Sequence, residues 1–206
     1  MKSNRPVAYS LIACALALAW LAAFLLGTGD ADLALLQALY AGDRPILADT
    51  ARLITLLGGW YFVTPLVAVV ALIVAVRGRV WLGLVLFVGT SVGRLLIEYQ
   101  KYELGRLRPN EHPHLVTVHN LSFPSGHSAN ATMLYLTLAL TLVDDPRKRF
   151  RWLIAACATA LLIGLSRPML GVHWPSDVVA GWSFGLLWSM LLVWLSRHPP
   201  ARSVRR

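Results

Sequence analysis

Charged residues are scarce in this chain, and their scarcity decides its class. Only 14% of its 206 residues are Asp, Glu, Lys or Arg, whereas 57% are hydrophobic. A soluble domain of this size would carry about 25% charged residues. The mean hydropathy is +0.60. These values exclude an ordinary soluble enzyme and predict an integral membrane protein.

Cysteine is also nearly absent. Cys14 and Cys157 both lie inside apolar runs, which does not fit a disulfide framework or a cysteine metal site. The residues Leu-Ile-Ala before Cys14 resemble a lipoprotein cleavage box, but the apolar stretch that precedes them is too short for a signal peptide. We therefore interpret residues 7–27 as a retained first span.

Long apolar runs are what the sequence has in abundance. A membrane-spanning helix requires about 20 residues, and six runs are candidates: 7–27, 60–76, 80–97, 126–143, 152–166 and 178–196. The predicted fold is an all-α membrane protein, a six-transmembrane-helix bundle in which residues 1–206 form one domain. Two shorter stretches, 33–40 and 46–57, predict amphipathic helices that lie at the membrane interface after the first span.

The basic residues indicate how the chain is oriented. A net charge of +9 can indicate a nucleic-acid partner, but here the basic residues cluster at the ends of apolar runs, which is typical of membrane topology. They precede span one, join spans two and three, join spans four and five, and form a basic tail at 197–206. With six spans, these regions and both termini lie in the cytoplasm. We expect no nucleic-acid partner.

Three polar blocks interrupt the apolar chain, and all fall within residues 98–177, on the side of the membrane predicted to be external. A membrane protein seldom keeps such groups beside its spans without a function. The blocks are Lys101 followed after six residues by Arg108 and Pro109; Pro124, Ser125, Gly126 and His127; and Ser166 and Arg167 followed by His173 and Asp177.

The second and third blocks contain groups suited to acid–base and nucleophilic chemistry. At a helix start, free N–H groups and Gly126 let an anion approach the backbone, Ser125 adds a hydroxyl, and His127 is placed to protonate a leaving oxygen. Asp177 follows His173 by four residues, so it can reach the imidazole and fix its tautomer if helical geometry extends back to His173. Each block alone also has a structural explanation, as a Pro/Ser helix start or as a carboxylate at a helix N-terminus.

Three cations accompany these groups. Lys101, Arg108 and Arg167 are suited to hold the nonbridging oxygens of a phosphate, although long basic side chains also snorkel at membrane interfaces. Arg106, in the same loop as Arg108, we interpret as a stray loop arginine.

In order and spacing, the three blocks resemble the signature of the type-2 phosphatidic acid phosphatase superfamily, with every signature position matched. The resemblance implies a membrane phosphatase that uses no metal or other cofactor. It implies that His173 is the nucleophile that forms a phosphohistidine, that Asp177 orients it, and that His127 protonates the leaving alcohol. It also implies a phosphate-binding set of Lys101, Arg108, Ser125, Gly126 and Arg167.

The resemblance leaves the lipid undetermined: phosphatidic acid, phosphatidylglycerol phosphate, undecaprenyl diphosphate and lipid A phosphate all carry the group that these residues would bind. Other functions also remain open. A six-span transporter would use Arg94 to line a pathway, unless Arg94 pairs with Glu98. A protein that binds lipid phosphates without hydrolysis is a further alternative. A serine hydrolase at Ser125 lacks the nucleophile-elbow pattern. A metal site fits no common zinc spacing, and it would draw on His112, His114, His119 and His127.

Overall fold

The computed structural model describes residues 5–200, and all of the regular structure in that range is helical. The helices are α1 (Arg5–Leu26), α2 (Asp30–Leu39), α3 (Pro45–Leu56), α4 (Trp60–Val76), α5 (Val80–Leu104), α6 (Gly126–Leu142), α7 (Pro146–Met169) and α8 (Pro175–Arg197). The prediction of an all-α protein is confirmed for these residues. The end of the basic tail, residues 201–206, lies outside the described residues.

Local sequence signals set several helix ends. Pro146 and Pro175 are the first residues of α7 and α8, where the missing N–H costs nothing. The carboxylate of Asp145 caps α7 by accepting a hydrogen bond of 2.7 Å from the backbone N–H of Lys148. Helix α5 ends at Gly105, whose φ of 64° is in the left-handed region that favours glycine.

Five helical stretches among the described residues are long and apolar enough to cross a membrane. They are Val7–Leu26, Pro45–Val76, Val80–Leu104, Pro146–Met169 and Pro175–Arg197. The second of them joins α3 to α4. Helix α6, the predicted fourth span, has 17 residues and is not among these stretches. The other five predicted spans correspond to them.

Helix α6 lies at the centre of the bundle. It packs mainly against α8 and α7, while α1 packs on α8 and α3 packs on α7. Two glycines allow α8 to approach α6 closely: a Cβ at Gly181 would lie 2.6 Å from the carbonyl oxygen of Ser125, and one at Gly185 would lie 2.7 Å from that of Ala129. The N-termini of α6 and α8, which carry the second and third polar blocks, are thereby held side by side.

The two predicted amphipathic stretches are helices, α2 and α3. Both contact α7, and α2 also contacts α8, so they form a wall beside the end of the bundle where the polar blocks lie. Their position at the membrane interface stays a prediction.

Candidate active site

The three polar blocks meet at one end of the bundle. The first lies at the end of α5 and in the loop after it, the second at the start of α6, and the third runs from the end of α7 to the start of α8. The backbone N–H of Ser125 donates to the carbonyl oxygen of Asp177 at 2.9 Å, which joins the second block to the third.

His173 and Asp177 contact each other, although His173 lies outside the helix. The distance from His173 Nδ1 to Asp177 Oδ2 is 3.2 Å. Helix α8 begins at Pro175, and Asp177 reaches back over its first turn to accept the backbone N–H of Trp174 at 2.9 Å. The same carboxylate therefore caps the helix and contacts the imidazole. Both side chains are buried.

The neighbours of His173 determine its tautomer. Arg108 Nη1 lies 3.1 Å from His173 Nε2. A guanidinium can only donate, so Nε2 is the acceptor and the ring proton belongs on Nδ1, where it faces Asp177. The lone pair of Nε2 is therefore directed toward the cations of the site.

Backbone carbonyls of the loop between α5 and α6 hold two of the cations. Lys101 Nζ donates to the carbonyl oxygen of Leu121 at 2.7 Å. Arg108 donates from Nε to the carbonyl oxygen of Asn120 at 2.7 Å and from Nη2 to its side-chain oxygen at 2.6 Å. The loop therefore fixes the positions of both charges before any ligand arrives.

Arg167 is as deeply buried as Lys101. It is buried at the end of α7, and its Nη1 donates to Thr55 Oγ1 at 2.6 Å. Its Nε is buried without a hydrogen-bond partner among the described residues. Because a buried charge with an unpaired N–H is costly, this guanidinium is suited to receive the oxygen of an anion.

The surroundings of His173 keep its ring neutral. Burial is the largest cause that lowers the pKa of His173 well below 6.5, and four nearby groups lower it further: Arg108, Lys101, Arg167 and His127. Burial also lowers the pKa of Arg108, to about 10, against the opposing effects of Asp177 and Glu98. At neutral pH the site therefore combines an uncharged imidazole with charged guanidinium groups.

The second block forms the first turn of α6. The hydroxyl of Ser125, the N-cap residue, accepts a hydrogen bond of 2.9 Å from Ser128 Oγ. Gly126 and His127 follow as the first two helical residues. No hydrogen bond between described residues involves the His127 ring, whose Nε2 would lie 3.5 Å from a Cβ at Gly59. The ring is therefore available to a ligand.

Arg106 corrects one interpretation from the sequence: it is not a stray loop arginine. Its Nη1 forms an ion pair of 3.0 Å with Asp177 Oδ1. Its Nη2 donates to the carbonyl oxygens of Ala23, at 3.1 Å, and Phe24, at 2.6 Å. The guanidinium also lies 4.2 Å from the centre of the Phe123 ring. Arg106 thus ties the carboxylate behind His173 to the end of α1.

Sequence reasoning missed two further residues at the site. Ser122 Oγ donates to Asp177 Oδ2 and lies 3.3 Å from His173 Nδ1, and Thr55 accepts from Arg167. Neither belongs to a polar block. Ser122 lies two residues before Pro124, and Thr55 lies in α3, so no local pattern marks them.

Two further histidines of this loop, His112 and His114, are not arranged as metal ligands. The His112 ring stacks on Tyr40 with ring centres 4.2 Å apart, and His114 Nε2 lies 2.8 Å from the carbonyl oxygen of Pro109. Among the described residues, no group of three or more His, Cys, Asp or Glu side chains is positioned to hold a metal ion.

Arg94 does not pair with Glu98 in the structure. Glu98 accepts a hydrogen bond of 3.1 Å from the Asn120 side chain. The Arg94 guanidinium instead lies 4.7 Å from the centre of the Trp60 ring. Arg94 therefore has a position distinct from the three cations around His173.

Comparison with known proteins gives this arrangement a family context. The family described as the PAP2 superfamily matches residues 80–199, a range that includes all three blocks. Phosphatidylglycerophosphatase B of Bacillus subtilis (strain 168) is 36% identical over 163 residues, which are 77% of this chain and 79% of that protein. Undecaprenyl-diphosphatase of Sulfolobus acidocaldarius is 28% identical over 145 residues, which are 68% of each protein.

A solved structure has the same fold. The crystal structure of the first transmembrane PAP2 type phosphatidylglycerolphosphate phosphatase from Bacillus subtilis matches with a TM-score of 0.80 and 32% sequence identity. The match covers 87% of this chain and 93% of that one, so the likeness extends over almost the whole bundle.

Proposed function

This chain belongs to the PAP2 superfamily and is a phosphoric ester hydrolase, and we propose that it removes the terminal phosphate of a membrane lipid without using a metal. One observation carries the proposal: the unprotonated Nε2 of a neutral, buried His173 faces Arg108, which lies 3.1 Å away, while Nδ1 contacts Asp177 on the other side of the ring. A nucleophile that faces fixed cations is suited to attack a phosphate whose charge those cations neutralise.

In the first step that we propose, His173 Nε2 attacks the phosphorus. A P–N bond forms and the bond from phosphorus to the lipid oxygen breaks. His127, which takes up a proton when the anionic substrate binds beside it, donates that proton to the leaving oxygen. Charge on the equatorial oxygens is neutralised by Lys101, Arg108 and Arg167, with Ser125 and the N-terminus of α6 at Gly126 as further donors.

In the second step a water attacks the phosphohistidine. His127, now neutral, takes a proton from the water as the new P–O bond forms and the P–N bond breaks. Phosphate leaves, and His173 returns to the tautomer that Asp177 holds. Asp177 keeps the proton on Nδ1 throughout, so Nε2 is the nitrogen that is repeatedly used.

We propose six membrane crossings, with α6 as a short fourth span enclosed by the other helices. The distribution of basic residues supports this topology, which puts both termini in the cytoplasm and the site on the external face of a bacterial inner membrane. A lipid head group would enter the site while its chains stay in the bilayer.

The relatives suggest which lipids to test. One is named as a phosphatidylglycerophosphatase and another as an undecaprenyl-diphosphatase, so both phosphatidylglycerol phosphate and undecaprenyl diphosphate are candidates beside phosphatidic acid.

The test is phosphate release by the purified protein in detergent with EDTA, measured with these three lipids. We expect release from at least one lipid, and we expect His173→Ala to abolish it. His119→Ala, which changes an exposed loop histidine, is the matched control and should retain full activity. Loss of activity on chelation would refute the metal-free mechanism. Lipid-phosphate transport in vesicles without hydrolysis would favour the transporter instead.

A further inference from the structure

A cavity of about 160 Å³ lies between α4, α5 and α6, and none of the residues that line it belongs to the three polar blocks. Most of its lining is apolar, as expected for a cavity between membrane helices, but five polar side chains face it: Thr64, Thr90, Ser91, Arg94 and Asn130.

Three of these side chains, those of Thr64, Arg94 and Asn130, form no hydrogen bond with another described residue, and Arg94 and Asn130 are the two with the strongest donors. The hydroxyls of Thr90 and Ser91 bond to carbonyl oxygens of their own helix. In contrast, no hydrogen bond or ion pair between described residues involves the side chain of Arg94 or of Asn130, although Asn130 is only 7% exposed. A cation and an amide that face a cavity within membrane helices, with no hydrogen-bond or ion-pair partner among the described residues, indicate a ligand.

Helices α5 and α6 connect the cavity to the proposed phosphate site, which is formed by Lys101, Arg108, Ser125, Gly126 and Arg167. Arg94 precedes Lys101 by seven residues on α5, which places both on the same helix face about 10 Å apart along the axis. On α6, Asn130 follows His127 by three residues, which is close to one turn. Arg94 also rests on Trp60 at the start of α4. The cavity is therefore about one to two turns deeper in the bundle than the phosphate site.

We propose that Arg94 and Asn130 bind a second phosphate of the substrate, one that is retained in the product. This inference rests on the proposed phosphatase function. The guanidinium would pair with a nonbridging oxygen of a phosphodiester, and the amide of Asn130 would donate to the same group. Stacking on Trp60 holds the guanidinium in place.

The distance between the cavity and the phosphate site indicates which class of lipid can occupy both. The two phosphates of a diphosphate share one bridging oxygen and are too close together to occupy both sites. Phosphatidic acid has a single phosphate and would leave Arg94 without an anionic partner. A lipid whose phosphodiester is separated from the terminal phosphate by a glycerol spacer, as in phosphatidylglycerol phosphate, can reach both.

The test compares kcat/KM for phosphatidylglycerol phosphate and for phosphatidic acid in mixed micelles. A hydrogen-bonded charge typically contributes a factor of about ten to one hundred, so Arg94→Gln should lower kcat/KM for the first lipid by roughly that factor. The effect on phosphatidic acid should stay within about twofold. Arg94→Lys should retain part of the preference. Arg77→Gln, which changes an exposed arginine at the opposite end of α4, should change neither value.

Equal losses on both lipids would overturn the inference and leave the proposed function intact. If Arg94→Gln does not fold, as judged by thermal denaturation, the wild-type protein decides, because equal kcat/KM values for the two lipids would also overturn the inference. A wild-type protein that hydrolyses neither lipid, but does hydrolyse undecaprenyl diphosphate, would refute the assigned class and support the phosphatase. Hydrolysis of none of the three would refute both.

Discussion

Replacing Arg106 with methionine tests whether the buried ion pair behind His173 is essential to the site. Arg106 and Asp177 lie 3.0 Å apart, and their side chains are 9% and 0% exposed. The substitution keeps an unbranched stem like that of arginine but removes the guanidinium, which leaves the carboxylate without its cation. Breaking a buried pair by removing one partner costs about 3–5 kcal/mol. Two carbonyl oxygens at the end of α1 also lose their donor.

The chain offers a matched control. Arg52 and Asp49 lie only 2.6 Å apart, but their side chains are 42% and 69% exposed. Exposed pairs contribute about 0.2–1 kcal/mol, so Asp49→Asn should change stability very little, even though its ion pair is the shorter one. Burial, and not distance, decides the difference between the two variants.

The assay is thermal unfolding in detergent, followed by tryptophan fluorescence. For a chain of this length, 1 kcal/mol corresponds to about 2–4 °C in Tm, so Arg106→Met should lower Tm by roughly 6–20 °C and Asp49→Asn by less than about 4 °C. We also expect Arg106→Met to lower kcat, because Asp177 would no longer be held against His173, and Arg106→Lys to restore part of it. Equal, small changes in Tm for both variants would refute the reasoning.

Two further predictions concern the chemical steps. His127→Ala should slow phosphate release least for aryl phosphates, whose leaving groups need no proton, and an equal loss across leaving groups would argue against the acid role. Because burial and the nearby cations lower the pKa of His173, its reactive neutral form should persist as the pH falls below 6.5, and activity should be lost only at still lower pH. Measuring the pH profile with two substrates whose phosphate pKa values differ would separate protonation of the enzyme from protonation of the substrate. A loss of activity with falling pH that is the same for both substrates and occurs at or above pH 6.5 would contradict the assignment of His173.

The helices were predictable from apolar runs, but their ends were not. The predicted run 80–97 stops where polar residues begin, whereas α5 continues to Leu104. Backbone hydrogen bonding needs no apolar side chains, so a helix can leave the apolar region and carry Lys101 to the site in its last turn. Helices α7 and α8 likewise extend beyond the predicted runs at both ends.

The site was predictable where its residues form spaced blocks, and not elsewhere. His173 and Asp177 are four residues apart, and although His173 lies outside α8, the carboxylate reaches back over the first turn of the helix to contact it. Arg106 is different, because its partners lie on α1 and α8, and only the packing of those helices shows what the guanidinium binds. Thr55 was missed for the same reason, since α3 must pack on α7 before it can reach Arg167.

The central claim is that phosphate passes through His173, and trapping the intermediate tests it most directly. Wild-type protein mixed with lipid phosphate would be quenched in alkali within the first turnovers, digested, and analysed by mass spectrometry. We predict phosphate on His173, its absence from His173→Ala, and its accumulation in a variant such as His127→Ala assayed with an aryl phosphate, where the attack of water is slowed. Full turnover without phosphate on His173, or phosphate found on His127 instead, would contradict the account.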